Sequence, residues 1–234
     1  MNKKDAMIIL GTAHLGTTPG KCSPDKTFRE AVWSRQMCKD IYDKMRSLGY
    51  KVEIDYEPLN PSADMKGPNA KIEQQRELNA RVNYVNGLCK KHGASNCIYV
   101  SIHVDAAGAD GKWHSAGGFS VYTSRGKTKS DFLAECIYNR AETNLKTYAD
   151  HMTEGKKAGD YDSKQRPLRT DTSDGDRDLE AGFFVLTHTN CPAVLIECMF
   201  QDNKADVRYL TSETGKHSIA RTIIEGIMDY IEKG

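Results

Sequence analysis

The sequence has no apolar run near the roughly 18 residues that a membrane-spanning helix requires, no CxxC pair and no excess of either charge. The first absence argues against membrane insertion. The second, with an odd count of seven cysteines (Cys22, Cys38, Cys89, Cys97, Cys136, Cys191 and Cys198), argues against a disulfide framework or a zinc ribbon. Reduced thiols in the cytosol are the expectation. A formal net charge of +1 leaves neither a basic footprint for nucleic acid nor an acidic tail. The apolar stretch Ala6 to Leu10 is shorter than the ~7 to 15 residues of a signal-peptide core, and Asp5 interrupts the basic lead. It reads as a first buried strand, with no signal peptide visible, unless a leader has been removed.

What is present is an alternation of strands and helices. Met7 to Leu10 reads as a strand. Thr27 to Leu48 reads as a helix, because Ala31, Val32, Met37, Ile41, Met45 and Leu48 recur at helical spacing and Gly49 follows. Val52 to Tyr56 alternates as a strand does, and Asn60 to Pro68 is a loop. A helix is predicted over Ile72 to His92, ending at Gly93. The run CIYVSIHV, Cys97 to Val104, has the composition of a strand buried on both faces. Gly117 to Thr123 reads as a strand, Ser130 to Tyr148 as a helix, and residues 155 to 180 as a long polar loop of the kind that often carries function. Phe183 to Leu186 and Ala193 to Cys198 read as strands, and Ser212 to Glu232 as a closing helix. The pattern implies an α/β fold, a mostly parallel sheet with helices on both faces. With no repeat and no linker, residues 1 to 234 read as one domain.

In such a sheet, sites gather at the carboxyl ends of the strands. His14 follows the first strand, His103 ends CIYVSIHV, and Glu197 ends AVLIE. Each stands where an apolar strand runs out, and a buried His or Glu is costly unless paired or bound to a metal. Alone, His14 or His103 is more often a hydrogen-bonded loop residue, and Glu30 more often part of a solvated helix face. They gain weight as a set. A hydrolytic zinc takes three protein ligands and leaves a fourth position open. Two histidines and one carboxylate meet that rule, and a second carboxylate is needed to carry a proton. Glu30 and Glu197 are available, and chemistry alone does not say which does which.

The same residues carry a resemblance over nearly the whole chain. Ala13-His14-Leu15-Gly16 with Thr18-Pro19-Gly20-Lys21, then Glu30, Arg81 and Asn86, Ser101-Ile102-His103 with Asp105-Ala106, and Pro192 to Glu197 followed by Phe200, Asn203 and Asp206 together resemble the zinc-dependent N-acetylmuramoyl-L-alanine amidases of cell-wall remodelling and phage lysis. The resemblance implies that His14, Glu30 and His103 bind Zn2+ and that Glu197 is the catalytic acid/base. It implies a central sheet of about six strands, phosphorylase/hydrolase-like, and a substrate amide between the lactyl group of muramic acid and L-alanine in peptidoglycan. The chain departs from the pattern beside His14, where Ala13 and Leu15 replace usual glycines. It departs again after Glu197, where Cys198 and Met199 replace a small residue and a glycine.

Strand alternation turns Cys198 away from Glu197, into the core. Arg166, Arg169 and His188 are candidate substrate-binding residues, the arginines because they pair bidentately with carboxylates. Arg81 and Asn86 are expected to pin the second helix to loops near the site. Trp33, Trp113 and Tyr122 read as core or rim aromatics, and His114 as a weaker rival ligand. Two alternatives to the amidase are a zinc peptidase or other amidohydrolase on the same scaffold, and a non-catalytic wall-binding relative. The expected protein is a monomer. It accumulates in the cytoplasm and acts on the cell wall, or is secreted after loss of a leader.

Overall fold

β1 (Met7–Thr12) is buried along its whole length, as a run of Met, Ile, Ile and Leu requires. The structure, a computed structural model, describes residues 1–148 and 165–234, with backbone alone at 165–167. After β1 come α1 (Glu30–Ser47), β2 (Lys51–Ile54), α2 (Ala70–His92), β3 (Cys97–Asp105), β4 (Gly117–Thr123) and α3 (Lys129–Asn144). They are followed by β5 (Gln165–Leu168), β6 (Leu179–Glu180), α4 (Phe184–His188), β7 (Ala193–Phe200), α5 (Lys204–Thr211) and α6 (Glu213–Lys233).

The seven strands form one sheet in the order β2-β1-β3-β7-β4-β5, with β6 also pairing to β4. The β2, β1, β3 and β7 pairings are parallel, and β4 runs antiparallel to β7. Alternation splits the apolar side chains between two layers. Ile8, Leu10, Ile98, Val100, Val194 and Ile196 face one core with α1, α3 and α6. Met7, Ile9, Cys97, Tyr99 and Leu195 face a second with α2 and α4. The fold is therefore the mostly parallel α/β sheet that the alternation of elements implied.

Three elements differ from the sequence reading. Phe183 to Leu186 is not a strand: Phe183 is extended and α4 begins at Phe184. A short apolar run reads equally as buried strand or helix. Here Asn86 on α2 decides the outcome, donating from Nδ2 to the His188 carbonyl and accepting from Asn190 N–H. The polar stretch 155 to 180 holds β5 and β6. The first helix starts at Glu30 rather than Thr27, because Ser23 N–H bonds the Phe28 carbonyl and closes a turn ahead of it.

Two local features set the strand ends. A Cβ on Gly11 would lie 2.3 Å from the Tyr99 hydroxyl oxygen, so the absence of a side chain lets Tyr99 cross β1 and donate to Asp55 Oδ2 at 2.8 Å. Beyond β7, Asn203 caps α5 by accepting from Ala205 and Asp206 N–H, and the Asp206 carboxylate accepts from Gly118 and Phe200 N–H.

Candidate metal centre and catalytic cleft

The first turn after β1, the first residue of α1 and the end of β3 bring His14, Glu30 and His103 together. One donor atom from each lies within 4.8 Å of the others. His14 Nε2 is 3.5 Å and His103 Nδ1 3.1 Å from Glu30 Oε1. Glu30 is almost fully buried, and Oε1 also accepts from Val104 N–H at 3.1 Å. The other ring nitrogen of His103 lies 3.0 Å from Ser101 Oγ, which fixes the ring's orientation from the same face of β3.

The electrostatics suit ligation. Burial drives the His14 imidazole down to about 3, against the opposing pull of Glu30, so it stays neutral and keeps a lone pair free. Burial alone would raise the Glu30 carboxyl, but the hydrogen bond with His103 and the imidazoles packed against it hold it below the usual carboxylate range. Glu30 Oε2 is buried without a hydrogen-bond partner. Two imidazoles and a carboxylate that keeps one oxygen unpartnered are a donor set that fits a hydrolytic zinc.

Glu197 stands beside this group because β3 and β7 pair His103 with Glu197. Burial raises its carboxyl well above the usual range, and the charges of Asp105 and Glu30 add to the rise. Its Oε2 is also buried without a partner. One step on, the register shifts so that Asp105 pairs with Phe200 and β7 carries one residue more than β3. Met199 takes that place at φ +67, the left-handed region that glycine favours. This is the position where the sequence departs from a glycine. The bulge sends both Cys198 and Met199 into the core, each fully buried, and leaves Glu197 on the cleft face. His14 itself has φ +43, so the turn beside the missing glycines is left-handed at the histidine.

The cleft over these residues has a volume of about 260 Å³. Phe183 and Phe184 wall one side, Lys21 stands near His14, and Glu77 and Arg81 of α2 close the back. Arg81 is a buried hub. It donates to Asp55 Oδ1 at 2.6 Å, to Glu77 Oε1 at 2.8 and 3.0 Å, and to Thr12 Oγ1 at 2.9 Å. It thus ties α2 to the ends of β1 and β2, the pinning role read for Arg81, while Asn86 pins α4.

The other candidates lie apart from the donor group. Arg169 donates its backbone N–H to the Phe119 carbonyl and stacks its guanidinium over Phe200 at 5.3 Å. His188 is exposed, stacked on Phe184 at 3.9 Å, with Nδ1 near Thr187 Oγ1 and the Phe184 carbonyl. The Arg166 side chain lies outside the described residues. His114 is 2.8 Å from Asp110. Trp33 is in the core, and Tyr122 packs against Phe183 at the rim. Sequence reasoning missed Glu77, Asp55 and the two phenylalanines. The spacing of Glu77 and Arg81, one helical turn apart, was the available signal for the first.

A His, Glu and His donor group at the strand ends of a mostly parallel sheet, with the half-buried Glu197 alongside, is an arrangement found in α/β hydrolases. Residues 8–229 match the pattern of N-acetylmuramoyl-L-alanine amidase, and the chain belongs to that family. It is 26% identical over 250 residues to N-acetylmuramoyl-L-alanine amidase AmiC of Neisseria meningitidis, covering 98% of this chain and 54% of that protein. It is 39% identical over 141 residues to an uncharacterized cell wall amidase of Bacillus anthracis, covering 58% of this chain and 21% of that protein. The chain thus spans about half or less of the curated relatives it matches. Among solved structures it is similar to the CwlD amidase from Clostridioides difficile, solved in complex with the GerS lipoprotein. The TM-score is 0.69 at 25% identity, over 98% of this chain and 100% of that one. No helix among the described residues is long and apolar enough to cross a membrane.

Proposed function

We propose that the chain is a single catalytic domain that hydrolyses the amide between the lactyl group of muramic acid and L-alanine in peptidoglycan. The observation that carries this reading is the convergence of His14, Glu30 and His103 within 4.8 Å, with Glu197 in register with His103. Family membership over residues 8–229 supplies the substrate. One sheet joining elements from β1 to β7 supports a single domain.

His14, Glu30 and His103 would hold zinc; an unpartnered oxygen on the buried Glu30 carboxylate supports that reading. Zinc bound there supplies Lewis acidity, polarising the substrate carbonyl and making water more acidic. Glu197 takes the proton from the attacking water and delivers it to the departing L-alanine nitrogen. Burial first, and then the charges of Asp105 and Glu30, raise its affinity for a proton, which suits it to the second of these steps. Ser101 holds the His103 ring, and Phe183 and Phe184 keep water off one side of the cleft. The site of action is the cell wall.

The test is zinc content of the purified protein together with release of L-alanine N-termini from peptidoglycan, with and without a chelator. About one zinc per chain and chelator-sensitive release are expected. Zinc without release would overturn the substrate, and neither would overturn the site.

A further inference from the structure

In the stretch DTSDGDRDLE, residues 171–180, an acid stands at every second position from Asp174 to Glu180, and none of these residues lines the catalytic cleft. An acid-rich turn is usually solvated. This one is not. Asp178 is 3% exposed and Asp176 half-buried, and Oδ1 of each is shut off from water without a hydrogen-bond partner. Buried acceptors are rarely left so without a reason. Glu30 Oε2, in the metal group, is in the same condition.

The fold presses these two side chains together. β6 pairs Leu179 with Tyr122 and Glu180 with Thr123, which brings Asp178 against the end of β4. There its Oδ2 accepts from the Thr123 hydroxyl. The Asp176 and Asp178 carboxyls lie in hydrogen-bonding contact with each other. As two anions they repel, and only a shared proton or a cation between them relieves that. Burial raises both carboxyls, and the charges of neighbouring acids, Asp131 among them, add to the rise.

The nearby positive groups do not answer this charge. Arg177, between the two aspartates in sequence, turns to α3 and donates to Glu135, Asn139 and Glu142. Arg125, Lys127 and Lys129 on the turn from β4 to α3 are exposed. Among the described residues no ion pair reaches Asp131, Asp174, Asp176, Asp178 or Glu180. Asp131 has both oxygens engaged by Thr128, and Glu180 accepts from Gly126 N–H, so they add field rather than free oxygens. A shared proton would cancel one charge of this group. A divalent cation would cancel two and give both unpartnered oxygens a partner.

We propose that Asp176 and Asp178 bind a calcium ion through their unpartnered oxygens, at the junction of β4, β6 and the first turn of α3. Calcium accepts irregular sets of oxygen ligands completed by water, whereas magnesium demands a near-ideal octahedron that two carboxylates of one loop do not prescribe. β6 follows Asp178 directly and leads into Phe183 of the cleft wall, so the ion would brace the segment that carries that wall.

The experiment titrates calcium chloride by calorimetry into the zinc-loaded full chain in calcium-free buffer, and into Asp178→Asn and Asp176→Asn. It is run at pH 8, above the value of about 7 to which the Asp178 carboxyl is raised, so that a proton competes little. About one calcium per chain with a Kd of about 1 mM or below is expected. Either variant should bind at least about tenfold more weakly, the loss of one charged ligand. Calcium should also raise the urea midpoint of wild type and leave that of the variants unchanged, with zinc content equal in all three. No binding by wild type at about 10 mM calcium overturns the proposal in favour of a shared proton, and this arm needs no variant to fold. Equal binding by wild type and both variants overturns it too, because the ion would then sit elsewhere. Magnesium bound as tightly as calcium overturns the assignment to calcium.

Discussion

His103 and Glu197 face each other across the parallel β3–β7 ladder. Neighbouring strands lie about 4.8 Å apart, so a donor of the metal group and the proposed proton carrier are set at a distance fixed by backbone hydrogen bonds. Neither residue depends on a flexible loop for its position. The bulge one residue further along β7 ends that strict pairing as soon as Glu197 has been placed.

Replacing either member of the pair should separate their roles. Glu197→Ala is expected to keep zinc and lose at least about a hundredfold in rate, the range for a general acid/base. His103→Ala is expected to lose zinc. Metal analysis beside a cleavage assay reads both, and activity surviving in the first or full zinc in the second would reject the assignment.

Arg81→Met tests the hub. It leaves Asp55 and Glu77 buried without their cation, and breaking a buried pair in this way costs about 3–5 kcal/mol. Urea unfolding should show a loss of that size. A variant within 1 kcal/mol of wild type, by roughly the scale of an exposed pair, would mean that the network contributes little.

Met199→Gly sets two effects against each other. Glycine removes the penalty of a side chain at φ +67, about 1 kcal/mol. It also deletes a fully buried side chain, which for Met→Ala costs about 2–5 kcal/mol. A net destabilisation of roughly 1–4 kcal/mol is expected from those two terms. Stabilisation would show that the strained backbone outweighs the packing.

Asp178 gives a pH signature away from the cleft. It is buried beside Asp176 and accepts from the Thr123 hydroxyl, and burial raises its carboxyl from 3.8 to about 7. Between those values the folded chain retains a proton that the unfolded chain has released. Stability therefore falls as pH rises through that window. Asp178→Asn should flatten the slope and be more stable than wild type at pH 8, as urea midpoints at pH 5 and 8 would show. A wild type equally stable at both would refute it.

His14, His103 and Glu197 were legible because a polar residue at the end of an apolar strand is anomalous on physical grounds alone. Glu30 was less so: a glutamate in the first turn of a helix is ordinary, and it was the resemblance that gave it the ligand role rather than the proton-carrying one. The sheet was legible from alternation of elements, whereas Phe183 to Leu186 was misread because four apolar residues carry no period. What made that segment helical is a long-range clamp from Asn86, invisible to local pattern. Glu77 was hidden for a similar reason, since an acid one turn from an arginine looks like a solvated pair until tertiary packing buries both.

The central place of β3 in the sheet governs the order in which this protein can be built. β3 lies between β1 and β7, yet β7 is synthesised about ninety residues after it. A nascent chain therefore displays His103 on an apolar strand with one bare edge, the kind of edge that recruits other strands. Until β7 docks, the chain also lacks Glu197. Completion of the sheet thus closes the aggregation-prone edge and sets Glu197 beside His103 in one event, so a partly made chain has the His14, Glu30 and His103 group without its neighbouring carboxylate.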